Sequence, residues 1–241
     1  MPFGPLCRST QSKDARPNDA TRPRGNVTIV SVRVSPSVVI FDYGNVLCQS
    51  QPAADAQAMA AILNLPPSQF TALYWRSRIE YDAGSLDPSA YWNTLAESRT
   101  LTPEQIARLN EIDSRSWSHP APAMPQWARD IRDAGVRTAI LSNMPVPVRD
   151  YVLDRSWLPR FDALTFSCDV GVCKPEREIY HDCLNKLAAS PSEALFLDDR
   201  EPNVRAAEAL GLHAVLFTDA SKAAQEIDRR FSLPVTLSNL Y

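Results

Sequence analysis

Four short segments of this 241-residue chain carry residues that could do chemistry together. They are Phe41-Asp42-Tyr43-Gly44-Asn45-Val46, Leu141-Ser142-Asn143, Gly171-Val172-Cys173-Lys174-Pro175-Glu176, and Leu197-Asp198-Asp199 followed by Asn203. Between them they supply three carboxylates, a hydroxyl, an amide and a lysine. Clustered carboxylates repel one another, and a hard divalent cation with oxygen ligands relieves that repulsion; Mg²⁺ is the usual choice. Ser142, the region of Asn143 and Lys174 would then hold phosphate oxygens through hydrogen bonds and one point charge. A carboxylate at the edge of such a metal can act as nucleophile, forming an aspartyl-phosphate that water later hydrolyses. Metal and lysine would neutralise the charge on a transferring phosphoryl group. Taken singly, each segment has an ordinary structural reading: a turn aspartate, a Ser-Asn turn, a Lys-Pro helix entry and a capping Asp pair. Only their joint occurrence points to a site.

These residues matter together only if the chain delivers them to one place, and the pattern of elements predicts that it does. Val38-Val39-Ile40-Phe41 is a compact apolar run of the kind found in buried parallel strands, and it stops at Asp42. Helices are expected over 53–63, 68–79, 88–97 and 103–116. Strands and helices then alternate: helix 125–134, strand 137–142, helix 147–154, strand 163–167, helix 176–187, strand 194–198, helix 202–210, strand 213–217 and a last helix near 219–230. Alternation at this spacing predicts an α/β fold with a parallel sheet covered on both faces. In such sheets ligands bind beyond the carboxyl ends of the strands, where three of the four segments lie. The expected organisation is an extension over residues 1–36, an α/β core from 37–50 and 125–241, and an α-helical cap from 51–124. The extension is expected to be disordered: it holds five prolines and six Lys or Arg against two Asp.

Composition closes off other chemistries. The seven glycines are at least 19 residues apart, which excludes G-x-G-x-x-G, the P-loop and the G-x-S-x-G elbow. A net charge of −3 leaves no electrostatic footprint for nucleic acid or an anionic membrane, and no apolar run is long enough to span a bilayer. Five cysteines without a C-x-x-C pair argue against a disulfide framework or zinc site and for a reducing cytoplasm. Cys48 and Cys173 lie near the chemistry in sequence but have no adjacent base. A small phosphorylated molecule is the expected partner; the sequence assigns no oligomeric state.

The four segments, in this order, resemble the motifs of the haloacid dehalogenase superfamily. The resemblance covers residues 37–241 and is closest to bacterial glucose-1-phosphate phosphatase-like sugar phosphatases and, more distantly, to the N-terminal phosphatase domain of soluble epoxide hydrolases. It implies a Rossmann-like core with an inserted helical cap of C1 type. It also implies a Mg²⁺-dependent phosphomonoesterase acting on a sugar phosphate. Asp42 would be nucleophile and metal ligand, and the Gly44 carbonyl a second ligand. Ser142 and Asn143 would bind phosphate, and Lys174 would orient phosphate and nucleophile. Asp198 and Asp199 would complete the metal site, one directly and one through water, with Asp199 the direct ligand. The family's specificity loop would fall around Gly84, near Trp75, Arg78, Tyr81 and Asp82.

One departure stands out: most family phosphatases carry an acid/base Asp where this chain has Gly44. That fits a leaving group needing little protonation, such as an anomeric sugar oxygen. Two rival readings remain, a 2-haloacid dehalogenase and a catalytically weak binding or regulatory protein. The Asp198-Asp199 pair, and the absence of an aromatic residue at position 44, weigh against the first; the missing acid/base keeps the second open.

Overall fold

The computed structural model describes residues 33–97 and 99–240. Residues 1–32, most of the expected extension, lie outside the described residues. Of its last residues, Val34 forms a parallel bridge with Phe231 near the chain's end.

Among the described residues five strands form one parallel sheet in the order β3-β2-β1-β4-β5. They are β1 (Val38–Phe41), β2 (Arg137–Ser142), β3 (Ala163–Phe166), β4 (Ala194–Asp198) and β5 (His213–Leu216). The apolar run at 38–41 becomes the central strand because it can be buried on both faces. Val39 and Phe41 pack into one hydrophobic cluster, Val38 and Ile40 into another, and all four are fully buried. Helices α6 (Met124–Asp133), α7 (Val146–Leu153) and α11 (Ala220–Arg230) contribute Trp127, Ile131, Val148, Val152 and Ile227 to the first cluster. Helices α9 (Arg177–Leu187) and α10 (Glu201–Ala209) contribute Ile179, Tyr180, Leu184, Val204 and Ala207 to the second.

Between β1 and α6 run α1 (Ala53–Leu63), α2 (Pro67–Arg76), α3 (Arg78–Asp82), α4 (Pro88–Leu95) and α5 (Pro103–Ser116). They enclose a third cluster built on Met59, Phe70, Tyr74, Tyr91, Trp92, Leu109 and Ile112. Proline begins α2, α4 and α5, and Thr102 with Gln105 closes a capping box on α5. Most expected elements agree with the observed ones to within a residue or two.

Two differ in kind. The expected helix 68–79 is broken at Ser77 (φ −109°, ψ 18°), which separates α2 from α3. The expected strand 163–167 ends at Phe166, and Ser167 opens an extra short helix, α8 (Ser167–Val170). Both breaks adjoin the site, and long-range contacts described below occupy them. Among the described residues no helix is long and apolar enough to cross a membrane.

Candidate active site at the carboxyl edge of the sheet

The strand order places the chemistry-bearing segments side by side. β1 is flanked by β2 and β4, so the residues that end these three strands meet at the point where the chain switches from one side of β1 to the other. Asp42 extends β1 by one residue, its N–H donating to the Leu197 carbonyl at 2.8 Å. It is only 7% exposed. Its Oδ1 accepts from the Tyr43 N–H at 2.6 Å and from Ser142 Oγ at 2.8 Å, and lies 2.9 Å from Lys174 Nζ. Lys174 Nζ also donates to Asp198 Oδ2 at 2.6 Å, so the ammonium bridges two carboxylates.

Asp198 is fully enclosed. Its Oδ1 accepts from the Arg200 N–H (2.8 Å) and Asn203 Nδ2 (3.0 Å), and Asn203 Nδ2 also lies 3.1 Å from Oδ2. Asp199 is more open and accepts from Asn45 Nδ2, at 2.8 Å. Asn45 is itself held by the Ser50 hydroxyl (2.8 Å) and takes the left-handed conformation at φ 57°, which Asn tolerates better than most residues.

The electrostatics follow from burial. Desolvation pushes the Asp42 carboxyl up to about 7; Lys174 opposes the rise, while Asp198 and Asp199 add to it. Asp199 is raised by burial, with Asn45 acting in the opposite sense. For Lys174, burial lowers the pKa, but Asp198 and Asp42 outweigh it and hold the ammonium above its ordinary range. Carboxylate oxygens of Asp42, Asp198 and Asp199 all lie within 4.8 Å of one another. One lysine against three acids leaves negative charge uncompensated, and the donor set is all hard oxygen, so the group fits a divalent cation.

The expected site residues therefore come together. The Asn143 side chain is engaged by the backbone of Lys174 in both directions: its Oδ1 accepts from the Lys174 N–H (2.8 Å), and its Nδ2 donates to the Lys174 carbonyl (3.0 Å). It fixes the segment that carries the lysine. Burial pushes the Cys48 and Cys173 thiols up to about 11, away from the thiolate form.

Above these residues opens a cavity of about 520 Å³ whose lining includes Asp42, Ser142, Lys174 and Asp199 below and Trp75, Ile79 and Trp117 above. The α3 segment is tied to the sheet edge. Ser167 Oγ donates to the Asp82 carbonyl at 2.6 Å and accepts from the Met144 N–H at 2.9 Å. Gly84 follows at φ +75°, and a Cβ there would sit 3.2 Å from the Cys168 carbonyl oxygen, so only glycine fits both demands. Within α3, buried Arg78 donates from Nε to Asp82 (2.8 Å) and from Nη1 to Asp113 (3.1 Å) and to Tyr74 Oη.

Sequence reasoning gave no role to Asn45, Ser167 or Trp117. Asn45 had a local signal, since it directly follows Gly44. The contacts of Ser167 and Trp117 are long-range and leave none. A Cβ built on Gly44 would lie 3.5 Å from Trp117 Cζ3, so the indole stands where a side chain at position 44 would point.

An acyl-CoA dehydrogenase family member 10 of Mus musculus is 35% identical over 48% of this chain, which spans only 11% of that protein. A sesquiterpene phosphatase of Aspergillus oryzae is 26% identical, covering 78% of this chain and 93% of its own length. A haloacid dehalogenase family enzyme of Bacteroides thetaiotaomicron, solved as a magnesium complex, shares the fold with a TM-score of 0.57 and 18% identity, covering 76% of this chain and 93% of that one. The family described as haloacid dehalogenase-like hydrolase matches residues 36–211, and with its strand-end acids, bridging lysine and five-stranded parallel sheet the chain belongs to that family of hydrolases.

Proposed function

We propose that the protein is a Mg²⁺-dependent phosphomonoesterase that works through an aspartyl-phosphate on Asp42. The observation that carries this reading is the Asp42 carboxylate, held at Oδ1 by Ser142, Lys174 and the Tyr43 N–H, at the base of a cavity beside Asp198 and Asp199. The hydrogen bonds on Oδ1 leave Oδ2 as the oxygen that can attack.

In the first step Asp42 Oδ2 forms a bond to phosphorus while the ester P–O bond breaks, and the alkoxide leaves with the electron pair to be protonated by water. In the second step water attacks the phosphorus and loses a proton to solvent. The Asp42 O–P bond then breaks, which frees inorganic phosphate and restores the carboxylate. With phosphate bound, Ser142 Oγ would turn its proton from Asp42 Oδ1 to a phosphoryl oxygen, Lys174 Nζ would offer the proton not spent on Asp42 and Asp198, and Asn143 keeps the lysine segment in place. Asp42, the Gly44 carbonyl and Asp199 would hold the cation directly. Asp198, saturated by Lys174, Arg200 and Asn203, would act through the lysine and through a bridging water. When bound, the cation neutralises phosphoryl charge and fixes phosphate against the nucleophile. Residues 51–124 serve as a cap over the site, meeting the core where α5 packs on α7 and at the Gly84 turn beside Cys168.

The relatives support phosphoryl chemistry, one being a sesquiterpene phosphatase, but they do not agree on the alcohol: another is a ribulose-1,5-bisphosphate 5-phosphatase of Halopiger xanaduensis. The test is phosphate release from a panel of phosphorylated metabolites with and without EDTA. Metal-dependent turnover supports the reading. Turnover of a 2-haloacid that survives chelation overturns it in favour of dehalogenation.

A further inference from the structure

We propose that the alcohol of the substrate is apolar: the enzyme takes monophosphate esters of hydrophobic alcohols, gripped between Trp75, Ile79 and Trp117. This rests on the phosphomonoesterase reading and narrows it. The Gly44 departure had favoured a sugar 1-phosphate through its leaving group. The walls of the cavity make a different demand.

A polyol needs donors and acceptors facing its hydroxyls, because each buried hydroxyl left unpaired costs binding. Beyond the phosphate-handling residues, the cavity lining offers Trp75, Ile79, Trp117, Met144, Val148 and Pro175. Trp75 is 51% exposed and Ile79 66% exposed. Large apolar side chains left in water at the mouth of a cavity are the surface an apolar ligand would cover. The two indoles stand nearly perpendicular, with ring centres 6.4 Å apart and planes at 78°. They form a corner against which an apolar chain or ring can pack.

Apart from Arg200, which also lines the cavity, the polar residues of the insertion and of the Ser142-Asn143 turn are already matched within the protein. Arg78 is bound to Asp82, Asp113 and Tyr74, and Asn143 to the Lys174 backbone. At the reacting end, Trp117 lies against Gly44 where other family phosphatases carry a carboxylate. The leaving oxygen is therefore delivered past an aromatic wall. The cavity, about 520 Å³, holds considerably more than a phosphate ion.

The test compares n-octyl phosphate with glycerol 1-phosphate and glucose 1-phosphate on the full chain with Mg²⁺. Octanol is the poorest leaving group of the three, so a preference for it reports binding of the apolar body and not ease of departure. The expected kcat/KM is at least about tenfold higher for octyl than for glycerol phosphate, carried mainly by KM. Trp75→Ala and Ile79→Ser, both at exposed positions, should each erode that ratio several-fold through KM, with Trp75→Phe retaining most of it. A kcat/KM on the glycerol ester equal to or better than that on the octyl ester, or a ratio unmoved by Trp75→Ala, overturns the proposal. p-Nitrophenyl phosphate separates the two levels. If Asp42-dependent turnover of it occurs without apolar preference, this inference alone fails; if no ester is turned over, the phosphatase reading fails with it.

Discussion

Asp42, the proposed nucleophile, is also the carboxyl of the site that burial perturbs most clearly. With its carboxyl pushed up to about 7 by burial, the metal-free protein should bind a proton there across the neutral range. A cation must displace that proton, so Mg²⁺ affinity should rise about tenfold per pH unit below 7 and level off above it, as isothermal titration at several pH values would read. The sign for stability is opposite to that of a salt-bridged carboxylate. The folded pKa lies above the unfolded one, so the native state binds more protons between about 4 and 7. Stability in EDTA should therefore fall as pH rises through that window, and Asp42→Asn should flatten the slope in denaturant titrations. Gly44 sets a second expectation. With Trp117 standing against it and no carboxyl at that position, log kcat should drop steeply as leaving-group pKa rises from aryl to alkyl phosphates. A flat dependence would show that another group protonates the leaving oxygen. That Asp42, Ser142, Lys174, Asp198 and Asp199 lie together followed from the sequence, because each stands at or just beyond a strand end or shortly before a helix in an alternating pattern. The Trp117 indole could not, because it comes from 73 residues further along and only the closed fold brings it to Gly44.

At the scale of elements, the α2–α3 break and the Ser167 junction decide how the helical insertion meets the sheet. Sequence periodicity ran a single helix through 68–79, since nothing local marks Ser77 as a stop. Arg78 settles it, reaching Asp113 of α5, 35 residues away, in a buried cluster that periodicity does not encode. Removing that cation leaves two buried carboxylates unpaired, so Arg78→Met should cost roughly 3–5 kcal/mol of stability. Ser167→Ala removes a donor to the Asp82 carbonyl and the acceptor of the Met144 N–H, and should cost about 1–3 kcal/mol. Gly84→Ala meets both positive φ and the Cys168 carbonyl at 3.2 Å, and should cost about 1–2 kcal/mol. Thermal unfolding would rank the three. If the α3 segment forms a wall of the substrate site, the last two should also raise KM more than they lower kcat.

Across the whole molecule, the order of strands turns scattered motifs into one site. β1 enters first and ends at the centre of the sheet, and later segments lay β2 on one side and β4 on the other. Residues 42, 142 and 198 become neighbours despite separations of 100 and 156 positions. That much followed from alternation and the strand-end rule. The apolar character of the cavity did not, because the aromatic residues of the insertion divide between a buried core and the cavity wall according to packing. Tyr74, Tyr91 and Trp92 went inside, while Trp75 and Trp117 line the cavity. We propose Asp42 as the nucleophile of a metal-dependent phosphatase. Phosphate release from p-nitrophenyl phosphate with Mg²⁺, by the wild type and by Asp42→Asn, tests it most directly. The variant's kcat should fall at least about 10³-fold, and the wild type should lose as much in EDTA. Equal rates for the two proteins, or a wild-type rate indifferent to chelation, would contradict it.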